Sequence, residues 1–130
     1  MQAFCTYCSR DKSDEPGNIP AIRRYLDTRI EKVYNAASQL GLEFYILSGE
    51  FGLLSPQEPI PSYDHLLKPE EVSGLADRIS EQIREYQINR VIYFTNSFAR
   101  DPNVIPYHDA IVAACSRTSQ PILVIELEMD

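Results

Sequence analysis

Two carboxylates and a phenol stand in the loop that follows a buried apolar segment near the middle of the chain. Glu50 comes soon after that segment, and Tyr63 and Asp64 lie at the far end of the same proline-rich loop. A carboxylate above a pocket can act as a base or a nucleophile when desolvation tunes its pKa, so Asp64 and Glu50 are the candidate catalytic residues. The structural alternative is that Asp64 caps a turn and Tyr63 covers the edge of a sheet.

The first polar loop along the chain, residues 8–17, lies between the first apolar segment and a helix, and the proline-rich loop with the carboxylates, residues 48–68, is the second. It carries Ser9, Arg10 and Lys12, whose hydroxyl and cationic groups, together with free backbone amides, can hold a phosphate or a carboxylate. The loop lacks the glycine-rich sequences of the familiar phosphate- and dinucleotide-binding motifs. The spacing from Cys5 to Arg10 is also one residue short of the protein phosphatase loop. The sequence therefore predicts an anion subsite without a standard motif.

The basic residues of the first quarter of the chain support an anion site in that region. They are Arg10, Lys12, Arg23, Arg24, Arg29 and Lys32. The alternative interpretation is that most of these side chains face solvent on one side of a helix, as charged residues usually do.

Three cysteines, with no recognisable secretory signal, indicate reduced thiols rather than a disulfide framework. Cys5 and Cys8 form one Cys-x-x-Cys pair, but Cys115 and the two histidines supply no second pair for a four-ligand zinc site. We therefore expect no metal and no cofactor. A dithiol redox site stays open beside the interpretation of Cys5 as a small core residue.

Four apolar segments have the composition of buried strands. They are residues 2–7, 44–47, 90–95 and 121–127. Because parallel strands end at one edge of a sheet, these segments should deliver Ser48, Asn96 and Ser97 to the same side.

Amphipathic spacing predicts three helices between the strands. The first has Asn18 as its cap, Pro20 in its first turn and Leu26 on its apolar face, and it ends at Gly41. The second begins at Pro69 and the third near Pro106. Each helix follows one strand and precedes the next.

Strands and helices in this alternation form a parallel sheet, since each parallel pair needs a right-handed crossover. The sequence therefore predicts a single three-layer α/β domain over residues 1–130, with a mainly parallel four-stranded sheet in the order βαβαβαβ. The two polar loops should then emerge on one side of the sheet. This places Ser9 and Asp64, far apart in the chain, at one rim of a common pocket.

The composition narrows the classes of function. Acidic residues outnumber basic ones 19 to 12 and the formal net charge is -7, which argues against a protein that coats DNA or RNA non-specifically. No apolar stretch reaches the roughly 18 residues that a membrane span needs, and no secretory signal is recognisable. We therefore expect no membrane partner and a cytoplasmic location.

Three short blocks resemble a known family. Cys-Ser-x-x-Lys runs from Cys8 to Lys12, Ser-Gly-Glu-Phe-Gly-Leu-Leu covers residues 48–54, and Tyr63 and Asp64 follow a Pro-Ser pair. The chain thus resembles a family of small, uncharacterised bacterial α/β domains with Cys-Ser-x-x-Lys, Ser-Ala-Lys-His-Gly-Leu-Leu and Pro-Tyr-Asp. Those domains are more distantly similar to the uracil-DNA-glycosylase-like domain of archaeosine synthases. The resemblance covers about half of the chain.

The resemblance implies a pocket for a nucleobase, nucleoside or nucleotide, with N-glycosidic hydrolase or transferase chemistry. A small-molecule ligand of this kind is the expected partner, and a non-catalytic ligand- or partner-binding module is the alternative. Glu50 and Phe51 replace the family's Lys-His pair, which removes a cation and a potential acid or base. The candidate ligand-binding residues come from the matched blocks and the strand ends: Cys8, Ser9, Lys12, Ser48, Gly49, Phe51, Tyr63 and Asn96.

This hypothesis gives roles to some of the candidate residues. An aromatic ring, Tyr63 or Phe51, stacks on the base, and Ser9 and Lys12 hold an anionic group. A loop carboxylate stabilises the developing oxocarbenium ion or orients water.

Overall fold

The computed structural model describes residues 1–128, which form seven strands and four α-helices. The strands are β1 (Gln2–Tyr7), β2 (Ile19–Pro20), β3 (Glu43–Ser48), β4 (Gly52–Leu54), β5 (Pro59–Ile60), β6 (Arg90–Thr95) and β7 (Ile122–Glu126). The α-helices are α1 (Ala21–Arg24), α2 (Thr28–Leu40), α3 (Val72–Glu85) and α4 (Ile105–Arg117), and 3-10 turns at Pro69–Glu71 and Pro102–Val104 precede the last two. Within this described range, none of the helices has the length and apolar character to cross a membrane.

The central sheet has the strand order β4-β3-β1-β6-β7. β3, β1, β6 and β7 run parallel, and β4 runs antiparallel to β3. A mainly parallel α/β sheet is therefore confirmed, but it has five strands where the sequence predicted four. β2 and β5 form a separate antiparallel pair that the sequence did not predict.

The extra strand of the sheet arises because the chain reverses directly after β3. Gly52 has a φ of 76°, which favours glycine, and a side chain there would collide with the amide oxygen of Gln82. The Gln82 side chain accepts a hydrogen bond from Leu53 N–H (2.7 Å) and donates one to Leu53 O (3.1 Å). It thereby occupies the outer edge of β4 as a neighbouring strand would. Three residues give too short a pattern to predict β4 from sequence.

One core joins the sheet to helices on both of its faces. Arg29 of α2 bonds the Thr6 side chain of β1, so α2 covers the face that carries Thr6. Tyr107 of α4 packs against Tyr7, which points to the opposite face because strand side chains alternate. α3 packs beside α4. Four predicted apolar positions of α3 are buried: Leu75, Ala76, Ile79 and Ile83.

The segment between Asn18 and Gly41 is broken, whereas the sequence predicted one helix. The chain first forms β2 and the single turn α1, and Tyr25 is then extended because it pairs with the first polar loop through an isolated β-bridge. α2 begins afterwards with Asp27, not Asn18, as its cap. Leu26, which periodicity placed on the apolar face, is consequently exposed. Gly41 ends α2 in the left-handed conformation, as predicted.

Two arginines of the basic segment are fully buried and stabilise the fold. Arg29 donates hydrogen bonds to the backbone oxygens of Tyr7 (2.8 Å) and Cys8 (3.2 Å). Its guanidinium also lies 3.6 Å from the centroid of the Tyr7 ring and bonds the Thr6 hydroxyl. Arg24 donates to four backbone oxygens in the first polar loop and β5. Neither side chain therefore faces solvent or is free to bind a ligand anion.

Replacing Arg29 by Met is expected to lower the free energy of unfolding by about 3 kcal/mol, because the oxygens of Tyr7 and Cys8 then lose a charged donor inside the core. Urea denaturation of the variant and the wild type measures the difference. Arg84→Met is the matched control, since Arg84 is exposed in the last turn of α3 and its loss should change that free energy by less than about 0.5 kcal/mol. Equal stabilities of the two variants would contradict the role of Arg29.

Candidate functional site

A pocket of about 450 Å³ opens at the carboxyl ends of β1 and β6. β1 lies between β3 and β6; the chain leaves β1 through α2 on one face and reaches β6 through α3 on the other. This is a topological switch point, at which open α/β sheets bind ligands. The lining comes from the loops after β1, β5 and β6 and from α4: Tyr7, Cys8, Ser9, Arg10, Lys12, Asp64, His65, Leu66, Asp101, Asn103, Val104 and Tyr107.

Two tyrosines and a cysteine are buried in this lining, together with Ser9 and Val104. The rings of Tyr7 and Tyr107 lie 6.1 Å apart between centroids, and Cys8 is almost fully buried. Burial raises the pKa of both phenols, so each is neutral at physiological pH. The Tyr107 hydroxyl accepts a hydrogen bond from Leu67 N–H (3.1 Å), which joins α4 to the second polar loop. These rings can contact an apolar or aromatic part of a ligand.

The loop after β1 supplies the cations of the pocket. Arg10 is exposed, and the Lys12 ammonium lies 4.6 Å from the centroid of the Tyr63 ring. Ser9 is nearly buried and donates its hydroxyl hydrogen to Asp11 O (2.7 Å), so it shapes the loop that presents both cations. In the described part of the chain no carboxylate forms an ion pair with either cation. Both charges can therefore meet an anionic ligand.

Ser48 and Tyr63 lie outside the pocket lining, in a hydrogen-bonded network. The buried Ser48 hydroxyl accepts hydrogen bonds from two backbone N–H groups of the following turn (3.1 Å each) and lies 2.8 Å from the Tyr63 hydroxyl. With both lone pairs in use, Ser48 donates to Tyr63, which also bonds the hydroxyl of Tyr25. Burial raises the pKa of Tyr63, so its phenol stays neutral. The network anchors the residue directly before Asp64.

Asp64 lines the pocket together with Ser9, although the two are far apart in the chain. Its side chain is exposed, and it accepts no hydrogen bond from any residue between positions 1 and 128. The carboxylate is thus available to a ligand. Asp101 is a second carboxylate of the lining, but one of its oxygens accepts a hydrogen bond from Asn103 N–H (3.1 Å) and caps a helical turn.

Glu50, the other candidate catalytic carboxylate, does not line this pocket. Its Oε2 lies 2.5 Å from Nδ1 of His65, and Oε2 of Glu71 lies 2.7 Å from Nε2 of the same ring. The hydrogen bond with Glu50 raises the pKa of His65; burial partly offsets this and Glu71 adds to it. The charged imidazolium is therefore favoured, and it ties the second polar loop to the turn that precedes α3.

Three further predicted ligand-binding residues also lie outside the lining. Gly49 lies against Tyr107, because a Cβ at this position would be 3.2 Å from the Tyr107 hydroxyl. Phe51 packs edge-on against Tyr63, with 5.2 Å between ring centroids. Asn96 accepts a hydrogen bond from the next backbone amide (2.8 Å) and so shapes the turn after β6. The predicted site residues that the structure brings together in the pocket are Cys8, Ser9, Lys12 and Asp64.

The segment after β6 and the start of α4 contribute lining residues that were not predicted: Asp101, Asn103, Val104 and Tyr107. A signal for them exists in the sequence. The segment after β6 must leave the sheet at the same edge as the other two loops. Its Asp-Pro pair, residues 101–102, also marks the start of a helical turn at that edge.

Comparisons of the chain with protein-family models, with curated proteins and with solved structures gave no match. The pocket combines aromatic rings, two cations and carboxylates in one cavity. The chemistry of these residues is therefore the basis on which we assign a function.

The pKa of His65 is expected to lie above its ordinary value of 6.5, because the charged ring bonds Glu50 first and Glu71 second. The stabilisation is complete below the unfolded-state pKa and is lost as pH rises through the higher folded-state pKa. NMR titration of the ring and thermal melts across that window measure both effects. Glu50→Gln should lower the pKa and flatten the pH dependence, whereas Glu81→Gln on the exposed side of α3 should change neither. A wild-type pKa at or below 6.5 would contradict the His65 contacts.

Proposed function

We propose that the protein binds a nucleoside or nucleotide in this pocket. The observation that carries the proposal is the combination, in one cavity, of aromatic rings with Arg10 and Lys12 and with the carboxylate of Asp64. A cavity of about 450 Å³ has the size of a small-ligand site. Its position at the switch point of the sheet is where nucleotides bind in open α/β folds.

Each part of a nucleotide has a matching group in the lining. The rings of Tyr7 and Tyr107 offer apolar surface to the base. Arg10 and Lys12 offer charge-assisted hydrogen bonds to a phosphate, and the ionised carboxylate of Asp64 accepts hydrogen bonds from ribose hydroxyls. Because the chain as a whole has a net charge of -7, this attraction is local and favours a small anion over a polynucleotide.

Cleavage of the N-glycosidic bond is the reaction that Asp64 would support. The bond between the base and C1′ of the sugar breaks, the base leaves with the electron pair and takes up a proton, and water adds to C1′ with loss of a proton. The Asp64 carboxylate stabilises the positive charge that develops on the sugar, or orients the water. In a transferase a second base replaces the water. Glu50 has no part in this scheme, because it does not line the pocket and its carboxylate bonds His65.

Ligand binding without turnover is the second candidate function. Glu50 was one of two predicted catalytic carboxylates, and its engagement by His65 removes it from the pocket. A protein that only carries or senses a nucleotide needs the rings and the cations of the lining, but not the reactivity of Asp64. The two candidates share one ligand and differ in whether a product appears.

Arg10→Ala is expected to weaken the binding of a nucleoside 5′-monophosphate about tenfold, since it removes a charge-assisted hydrogen bond worth about 1.5 kcal/mol. The affinity for the nucleoside without phosphate should stay unchanged. Isothermal titration calorimetry with a panel of both ligand types measures the two affinities. Arg84→Ala is the matched control, because Arg84 is exposed and lies outside the pocket. Equal losses for both ligand types would contradict a phosphate subsite at Arg10, and no binding at all would contradict the proposed function.

Asp64→Asn is expected to reduce base release at least a hundredfold while the affinity for the nucleotide changes little, because the amide keeps the shape of the side chain but loses its charge. Chromatography of free base from a panel of nucleosides and nucleotides measures the rate. Glu81→Gln, an exposed change on α3, is the matched control. Equal rates for Asp64→Asn and the wild type would remove Asp64 from the mechanism, and binding without any base release would select the second candidate.

A further inference from the structure

β7 forms one edge of the sheet and, within the described part of the chain, pairs with β6 alone. Leu123 and Val124 are 57% and 36% exposed, whereas the strands of parallel sheets are usually buried on both faces. The strand has no proline, lysine or bulge of the kind that protects natural sheet edges. The opposite edge differs, because the Gln82 side chain covers β4. β7 therefore presents an open hydrogen-bonding edge flanked by apolar side chains.

The sheet face next to this edge is only partly covered. α2 packs against β1 and β3 on that face, while Ile92 of β6 and Leu123 of β7, which are aligned in register, keep exposed surface. Phe94 and Ile125 form the next aligned pair and are half-buried. The alternate residues of β6, on the face covered by α4, are buried. An apolar strip thus continues from the core to the open edge.

The hydrogen bonds to β6 fix which groups of β7 point outward. Val91 N–H bonds the oxygen of Pro121, and Leu127 N–H bonds the oxygen of Thr95. Successive residues of a strand direct their N–H and C=O groups to opposite sides. The N–H and C=O groups of the odd-numbered residues of β7 therefore point toward β6. The N–H and C=O groups of Ile122, Val124 and Glu126 point away from the sheet.

We infer that β7 pairs with β7 of a second copy of this chain, antiparallel, across a twofold axis at Val124. In this register Val124 faces the partner's Val124 and Ile122 faces the partner's Glu126, so outward groups meet outward groups and each such pair exchanges two hydrogen bonds. Leu123 then faces the partner's Ile125 on the partly covered face. The apolar strips of both copies join there, and two sheets become one continuous sheet.

Charge placement selects the antiparallel orientation. Glu126 ends β7 and Glu128 follows it, whereas Arg90 begins the neighbouring strand β6. A parallel pairing would set Glu126 within one residue of the partner's Glu126. In the antiparallel register these carboxylates are four residues apart, roughly 14 Å, which exceeds the Debye length of about 8 Å at physiological salt. The acidic end of each copy lies instead at the end of the other copy that carries Arg90.

A second copy of the chain therefore matches this edge in three respects: its hydrogen-bond register, its apolar surface and its charge. The pairing uses β7, none of whose residues lines the pocket. It therefore goes beyond the proposed function and does not depend on it.

Analytical ultracentrifugation from micromolar to millimolar protein tests the pairing, at about 0.15 M ionic strength so that the net charge of -7 is screened. The expected result is a concentration-dependent species of twice the 14.8 kDa chain mass. Val124→Pro should abolish this species, because proline removes an outward N–H that β6 does not use. Leu123→Lys should raise the dissociation constant at least about tenfold, as lysine does on protected edges. Leu26→Lys is the matched control, since Leu26 is 56% exposed and lies before α2.

Circular dichroism checks that the variants keep the fold. If Val124→Pro does not fold, the result for Leu123→Lys alone decides the test. Hydrogen exchange gives an independent readout: the amide of Val124 should become protected as the dimer forms, while that of Leu123, which already bonds β6, should not change. A monomer at every concentration would overturn the inference. So would assemblies larger than a dimer, or a dimer that Leu123→Lys and Leu26→Lys weaken equally.

Discussion

The fold and the pocket both depend on one buried charge, the guanidinium of Arg29. It lies where β1 ends, and it donates hydrogen bonds to the buried backbone oxygens of Tyr7, the last residue of β1, and of Cys8. A buried cation is tolerated only when hydrogen bonds and nearby charge replace its water. The Tyr7 ring and the carboxylate of Asp27, 3.5 Å away, complete that shell. The first residues of the pocket loop are therefore held in place from within the core.

The rest of the pocket loops are held by similar means. Arg24 donates hydrogen bonds to backbone oxygens of the first loop and of β5. Hydrogen bonds among the hydroxyls of Ser48, Tyr63 and Tyr25 connect the turn after β3 to the same region. Few of these groups can move without leaving a buried polar atom unpaired. The core thus holds the cavity in shape, which under the proposed function would reduce the ordering cost of ligand binding.

The sequence was informative where one periodicity governs a segment. The buried strands and the apolar face of α3 follow from local patterns, and the parallel order follows from their alternation with helices. The break before α2 could not be predicted, because helical spacing continues through Leu26 while the bridge of Tyr25 to the first loop is a tertiary contact. Arg24 and Arg29 resembled solvent-facing cations for the same reason: the oxygens that they bind are remote in sequence or carry no side-chain signature.

In the candidate site, too, some features follow from local sequence patterns and others depend on tertiary contacts. Residue type and the parallel direction of the strands were enough to place Ser9, Lys12 and Asp64 at one edge, because parallel strands end together. Which loop side chains turn toward the cavity depends on hydrogen bonds between loops. Glu50 turns to His65, and Ser48 turns to Tyr63, through contacts that no spacing along the chain encodes.

The amide of Gln82 has a consequence for assembly that reaches beyond β4. By bonding the N–H and the carbonyl oxygen of Leu53, it covers the outer edge of β4, so β7 is the open edge of the central sheet within the described residues. In the inferred dimer both β7 edges are used, and pairing through this sheet would stop at two copies. If both edge strands of the sheet were open, strand pairing could continue at each edge and build a filament. In the inferred assembly, one glutamine side chain would therefore limit growth to a finite complex.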